Sequence, residues 1–369
     1  MITLLPARLK LLHFPRSHLA HVTHAIVKTC VFEDTRAPDY FFSFTENAYE
    51  VSIVASESTI DHDFLPFLTG TEDSGTSSDI YRVLQVDDEG GQDASGKRIS
   101  DLSEPLAQSK FSIFYMSTYQ TDFVLIKERR LRQAMQTLLD HGFQIDEDSL
   151  SLVDSLLFPT ASHTSSAASS TIHANLSSES LVSTDTGSTQ PEHGDPEEEE
   201  DDEGSGGVDI ESSVLPNELR CAGLNPHCRS SWAMTVLKIL SYPELIQQDP
   251  TSHRFFSYTA TNEGISLIAD EVMLELFEEQ ALFQDEDSVP LRVIQVNLAG
   301  SNLDRCGIVR SISQPLAAEA HINLLYLSTF KTANILVSAD DIERAEEILT
   351  PDLEKMRDML SQVVLEPLQ

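Results

Sequence analysis

The sequence predicts an α+β protein of four small modules arranged as a duplicated pair, and two long-range repeats predict it. The segment Phe41 to Ala55 (FFSFTENAYEVSIVA) returns 214 residues later as Phe255 to Ala269 (FFSYTATNEGISLIA), with Phe, Phe, Ser, Thr, Ser and Ala in register. Glu104-Pro105-Leu106-Ala107 and Tyr115-Met116-Ser117-Thr118-Tyr119 reappear in the same order as Gln314-Pro315-Leu316-Ala317 and Tyr326-Leu327-Ser328-Thr329-Phe330, with one residue inserted between the blocks. A copy must bury its apolar strands as the original did, so tandem duplication of a two-module block is the simplest reading. The 369 residues agree, since a chain this long is usually about two to four domains. Function is then expected between modules.

Each module reads as strand, helix, strand, strand, helix, and a last strand would complete βαββαβ. The first (residues 1–70) begins with a strand over Arg8 to His13 and a helix around His18 to Lys28, then reaches the repeated hairpin. The second (80–157) has strands Tyr81 to Val86, Phe111 to Ser117 and Asp122 to Lys127, with helices Ile99 to Ser109 and Glu128 to His141. The third (214–285) repeats the first with a strand over Glu218 to Ala222 and a helix over Ser230 to Ser241. The fourth (286–362) repeats the second through strands Leu291 to Val296, His321 to Ser328 and Ala333 to Val337, and helices Gly307 to Ala320 and Ala339 to Thr350. A loop over Thr69 to Ser78 separates the first two modules.

Residues 158–213 form a Ser/Thr-rich acidic linker that cannot build a core, and disorder is expected there. As a coil of about 55 residues it would span on the order of 40 Å. It holds 13 acids and no Lys or Arg, yet the rest of the chain still carries −23 of the net charge of −36. Such a field repels phosphate backbones, which excludes nucleic acid as an expected partner. Cys30, Cys221, Cys228 and Cys306 are few and irregularly spaced, pointing to a reducing compartment rather than a disulfide framework or zinc ribbon. No apolar run approaches the roughly 18 residues of a membrane span. A cytoplasmic protein is expected.

No Walker loop, GxSxG, HExxH or dinucleotide fingerprint is present, so neither an enzyme nor a cofactor is expected. His18, His21 and His24 recur at helical spacing without a matching acid or Cys, and they, like Asp61-His62-Asp63, read as structural or exposed rather than metal-binding. The turn Asp304-Arg305-Cys306-Gly307-Ile308 opens a helix, where a glycine and unpaired amides offer a cradle for a carboxylate or serve only as turn chemistry. Ser112-Ile113 begins a strand that ends at the turn Tyr119-Gln120-Thr121-Asp122. The duplicate turn, Phe330-Lys331-Thr332-Ala333, keeps the fold but discards the phenol, the amide and the carboxylate. That divergence points to a task for one turn, with exposure as its premise.

At these residues, FSIFYMSTYQTDFVLIKE (Phe111 to Glu128) and RCGIVRSISQPLAAEAHINLLYLSTF (Arg305 to Phe330), the chain resembles the CASTOR family, cytosolic arginine sensors of four ferredoxin-like ACT domains that restrain TOR signalling by binding a GATOR subcomplex. The resemblance implies a free amino acid held between the second and fourth modules by Ser112 and Ile113 on one side and Cys306, Gly307, Ile308, Thr329 and Phe330 on the other. It implies a GATOR-type partner on Tyr119, Gln120 and Asp122, and allows a homodimer. The family's guanidinium-binding aspartate falls on Ala333, followed by Asn334, and Arg305 stands where arginine sensors have an acid. A buried guanidinium left unpaired costs several kcal/mol, so a neutral or acidic amino acid is expected in preference to arginine. The alternative is a ligand-independent scaffold whose pocket has decayed.

Overall fold

The computed structural model describes residues 1–87, 95–157, 210–246, 254–284, 288–299 and 306–364. The first stretch of chain forms β1 (Ile2–Phe14), α1 (Leu19–Val27), β2 (Phe41–Glu46), β3 (Val51–Ser56), the single turn α2 (Glu57–Thr59) and β4 (Gly75–Thr76). The second forms β5 (Tyr81–Asp87), α3 (Ser95–Gln108), β6 (Ile113–Ser117), β7 (Thr121–Lys127), α4 (Leu131–Asp140) and α5 (Glu147–Leu157). After the linker come β8 (Glu211–Val214), β9 (Leu219–Leu224), α6 (Arg229–Ser241), β10 (Phe256–Thr261), β11 (Ile265–Asp270), α7 (Glu271–Leu274) and β12 (Leu282–Phe283). The last stretch gives β13 (Leu291–Asn297), α8 (Ile308–Gln314), β14 (Leu324–Ser328), β15 (Thr332–Ser338) and α9 (Ile342–Val364).

Four stretches therefore repeat one topology, in which the first strand pairs with the third and the third with the second. Joined edge to edge they run β9-β11-β10, β2-β3-β1, β5-β7-β6 and β14-β15-β13, and the pairing of Leu291 with Leu219 closes the ring. Closure removes the exposed edges that a long open sheet would present. Helices cover the outer face in two clusters. One unites the second and fourth units around Leu102, Leu106, Tyr115, Ile312, Tyr326 and Leu349. The other unites the first and third around Phe42, Phe44, Trp232, Phe256 and Tyr258. Leu9, Val83, Phe114 and Leu125, with Phe255, Val293 and Leu336 across the ring, fill the inner face. Strands apolar on both faces are what a sheet covered on both sides requires. Burying one such Phe or Leu stabilises by about 1.5–3 kcal/mol.

The expected fourth strand of each βαββαβ module is corrected by the sheet. It shrinks to the two-residue β4 beside β1 and the two-residue β12 beside β9. Next to β5 the place is taken by the first part of β1, Ile2 to Leu5, and next to β13 by β8. A register shift between Leu5 and Arg8, at Pro6, lets β1 serve both units: Ile2 and Leu4 join one outer cluster, Leu12 and Phe14 the other. Strand β8 also moves the linker boundary, because Glu211 to Ser213 pair with β13 through Asn297, Val296 and Gln295. Main-chain hydrogen bonds need no apolar side chain, so composition is silent there. Residues 158–209 lie outside the described residues. Two further helical readings change: α8 ends at Gln314 and a π-turn carries the chain to Glu319, while α9 runs to Val364.

Units one and three meet where β10 pairs with β2, and hydroxyls face each other across the seam: Ser43 with Thr259 and Thr45 with Ser257, each at 2.9 Å. At its end Glu46, 1% exposed, is ion-paired to the fully buried Arg254 and, at 3.2 Å, to Arg16. Arg254 also donates to the Ile239 carbonyl (2.9 Å). Removing one member of a buried pair leaves the other charge uncompensated. Glu46→Ala is expected to lower stability by about 3–5 kcal/mol in urea denaturation, whereas Asp34→Ala, which breaks the exposed pair with Arg36 and an exposed bond from the Arg36 amide, should shift the midpoint far less.

Candidate functional site

Units two and four meet between β6 and β14, where the ladder has one main-chain pairing, Met116 with Leu327. On either side of it a serine hydroxyl stands in for a carbonyl. The Tyr115 amide donates to Ser328 Oγ (3.0 Å) and the Tyr326 amide to Ser117 Oγ (3.2 Å). The two serines are equivalents in the repeat, so the seam has an approximate two-fold axis, and Tyr115 and Tyr326 pack edge to face across it at 6.4 Å. A side chain replaces the direct bond on both sides of the axis, so the main-chain ladder is one pair long.

One end gathers most of the predicted ligand residues. Ser112 forms an isolated bridge with Cys306, bringing the start of β6 against the turn that precedes α8. Cys306 Sγ approaches the Ala107 carbonyl at 3.7 Å. Gly307 has φ +82°, the left-handed region that costs a residue with a Cβ about 1–2 kcal/mol, and this conformation turns the chain into the helix. Ile113 and Ile308 belong to the apolar cluster beneath. Arg310 closes the flank on Glu104 at 3.1 Å.

Thr329 and Phe330 turn to the opposite face, contrary to expectation. Thr329 Oγ1 donates to Glu50 Oε1 (2.7 Å), and the Phe330 amide to Ser52 Oγ (3.1 Å). The Phe330 ring lies 4.2 Å from that of His13. Their side chains therefore clamp the β14–β15 hairpin onto unit one. Ala333, 1% exposed, faces the helices with Tyr326 and Ile335. Asn334, the next residue, must point the other way; its Nδ2 donates to the Leu327 carbonyl (3.1 Å). Arg305 lies outside the described residues.

The turn at Tyr119 is docked in the mirrored manner. Its amide donates to Ser266 Oγ (2.9 Å), and Ser266 is the repeat equivalent of Ser52. Tyr119 is half-buried and Gln120 exposed. Asp122 corrects the expectation of exposure: it is 1% accessible, paired with Arg98 Nε at 2.5 Å and accepting the Tyr115 hydroxyl at 3.0 Å. A partner cannot touch this carboxylate while the pair is intact, so its role is to hold the turn from behind. Burial pushes the Asp122 carboxyl above the ordinary aspartate value while Arg98 pulls it down, and burial beside Asp122 lifts the Tyr115 phenol well above its own. Arg98, Glu50 and His13 were not singled out in the sequence. The repeat holds a signal for the first, since Arg98 stands where the copy has Ile308, as Asp122 stands where it has Ala333.

The remaining candidates have structural partners. Asp61 and Asp63 bind Lys10 and Lys28 at 2.7 and 2.6 Å, and His62 Nδ1 lies 2.8 Å from the Ser58 carbonyl. His18 and His21 stack at 5.4 Å. Among the described residues no group of His, Cys, Asp and Glu could hold a metal ion, and no helix is long and apolar enough to cross a membrane.

A profile described as ACT domain matches residues 76–140 and again 288–351. The chain thus holds two stretches in tandem that match the ACT domain. Its resemblance to the CASTOR family extends over nearly its whole length. It is 25% identical over 357 residues to "Cytosolic arginine sensor for mTORC1 subunit 1" of Rattus norvegicus, covering 94% of this chain and 95% of that one. The Homo sapiens protein of the same name is 24% identical over 358 residues, covering 94% and 96%. These relatives are named sensors. Among solved structures, an aspartate kinase from Synechocystis matches 98% of this chain and 56% of its own at 8% identity and a TM-score of 0.33, too low to support an argument.

The raised Asp122 carboxyl fixes a pH dependence. The native state holds this proton to higher pH than the unfolded chain does, so its contribution to stability is greatest in acid. It falls as pH rises from the ordinary 3.8 to the folded value, then levels. In Asp122→Asn that fall is expected to vanish, which urea midpoints of both proteins between about pH 3 and pH 8 will show.

Proposed function

We propose that this chain is a non-catalytic cytoplasmic amino-acid sensor that regulates TOR kinase signalling through a GATOR-type partner, with units one and three ACT-like in the manner of units two and four. The observation that carries the reading is alignment over 94% of the chain with proteins named arginine sensors for mTORC1. The ligand crevice is assigned to the seam at Ser112, Ile113, Cys306, Gly307 and Ile308, with the backbone of Thr329 and Phe330 at its far wall. The Ser112 hydroxyl serves the ammonium, amides around Gly307 the carboxylate, and Ile113 and Ile308 exclude water. Tyr119 and Gln120 offer the partner surface, ordered by Asp122 beneath them.

Ala333 in an apolar setting provides no counter-charge for a guanidinium, so the ligand is a neutral or acidic amino acid rather than arginine. The same observation favours a second reading, a ligand-independent scaffold that keeps only the partner turn. A ligand bridging units two and four changes the turn only through its differential affinity for two arrangements, and the effect is reciprocal. Calorimetric titration with arginine, lysine, leucine and glutamate is expected to show saturable binding of leucine or glutamate and none of arginine at micromolar concentration. Capture of the partner should differ with and without that ligand. Equal capture leaves the scaffold; micromolar arginine binding removes the ligand assignment.

A further inference from the structure

The hairpin turn at Phe330 shows what the turn at Tyr119 lacks. Both dock alike, since the Phe330 amide donates to Ser52 Oγ and the Tyr119 amide to Ser266 Oγ. Both are also closed alike, by the Thr329 amide on the Thr332 carbonyl (2.9 Å) and the Thr118 amide on the Thr121 carbonyl (3.0 Å). At Phe330 a carboxylate of unit one completes the junction: Glu50, 3% exposed, accepts through Oε1 from the Lys331 amide (2.6 Å) and from Thr329 Oγ1 (2.7 Å). The offset that takes Phe41 to Phe255 carries Glu50 onto Gly264, and the offset that takes Tyr326 to Tyr115 carries Thr329 and Lys331 onto Thr118 and Gln120.

At Tyr119 the carboxylate is therefore missing while its donors remain. A cavity of about 250 Å³ lies there, at the junction of units two and three, with Thr118, Gln120, Gly264 and Ser266 in its wall. Thr118 Oγ1 turns back onto the Thr121 carbonyl (2.6 Å), and among the described residues no group accepts from the Gln120 amide. A Cβ built on Gly264 would meet only the tip of the exposed Gln120 side chain, 3.0 Å from Oε1. One flexible group thus stands where the copy has a fixed acid. Asp87 and Glu263 also line the cavity, and both accept from Gln85 Nε2, at 3.3 and 2.6 Å. The copy has the uncharged Asn297 and Tyr49 at these two positions. A lone anion is repelled by such a pair, whereas an anion with a cation beside it is not.

We propose that this cavity receives an acidic side chain of the protein partner, which rests on the reading of the Tyr119 turn as the partner surface. The incoming carboxylate takes the place that Glu50 holds in the copy and accepts from the Gln120 amide and the Thr118 hydroxyl. Bonds to an ionised acceptor are about twice as strong as neutral ones. Asp87 and Glu263 take a basic residue next to it, so the segment recognised pairs an Asp or Glu with a neighbouring Lys or Arg. Each half of the pair is selective: an acid alone meets two carboxylates, and a base alone leaves the Gln120 amide unsatisfied.

The test is capture of the purified GATOR-type partner by the full chain, in wild type, Gly264→Glu and Gly264→Gln, together with thermal melting in sodium acetate, sodium chloride and methylammonium chloride at equal ionic strength. Either variant fills the cavity from within, circular dichroism checks that it is folded, and one folded variant suffices. Both are expected to weaken capture by about tenfold or more. Acetate, standing in for the partner's carboxylate, is expected to raise the melting temperature of wild type about 1 °C more than that of Gly264→Glu, relative to chloride. Capture that survives in a folded variant overturns the pocket and spares the partner reading. Capture lost in the variants without the extra effect of acetate, or with methylammonium acting in its place, means that the cavity takes something other than a carboxylate and also overturns the proposal. No capture by wild type overturns the partner reading itself, and the proposal with it.

Discussion

The closed ring depends at one junction, β6–β14, on strands that meet largely through hydroxyls. At β6–β14 the Ser117 and Ser328 side chains accept amides that a neighbouring carbonyl would otherwise satisfy. A direct ladder would zip the two units together and leave no room at either end. Without the serines, buried amides would be unsatisfied, at a cost of about 1–3 kcal/mol each. Ser52 and Ser266 repeat the device where each hairpin turn docks on a unit of the other pair. Small polar residues at these positions thus make the ring continuous while keeping its junctions distinct from the interiors of the units.

Buried charge then fixes how those junctions are set. Glu46 with Arg254 locks the end of β2 to the segment before β10, and Asp122 with Arg98 locks the Tyr119 turn to the start of α3. Such pairs add less to stability than their Coulomb attraction suggests, because both ions lose water. Their consequence here is geometric: each admits one arrangement and penalises others. The duplicated halves also diverge at this point. One half keeps Arg98 over Asp122, and the other has the uncharged Ile308 and Ala333 in their places, so the two ends of the β6–β14 seam differ in chemistry.

The hairpins and most helices were legible because the long-range repeats preserve their apolar runs in register. The fourth-strand positions were not. Strand β8 rests on main-chain bonds and reads as linker, although Leu215-Pro216-Asn217-Glu218-Leu219 mirrors Leu5-Pro6-Ala7-Arg8-Leu9. Ser112 and Cys306 meet in an isolated bridge, with Gly307 next in the chain. Asp122 was misjudged because Phe123, Val124, Leu125 and Ile126 are apolar on both faces of β7, which erases the alternation that would have told which side the aspartate takes. Thr329 and Phe330 were assigned by similarity alone, and register turned their side chains to unit one.

By itself the sequence determined the duplication and the α+β class, since these need only residue identities and their spacing. Closure of the sheet, the sharing of β1 between two units and the burial of Asp122 beneath Arg98 were decided by tertiary structure. Each depends on which strand edge finds which partner, and a one-residue change of register would turn the same side chains to the other face.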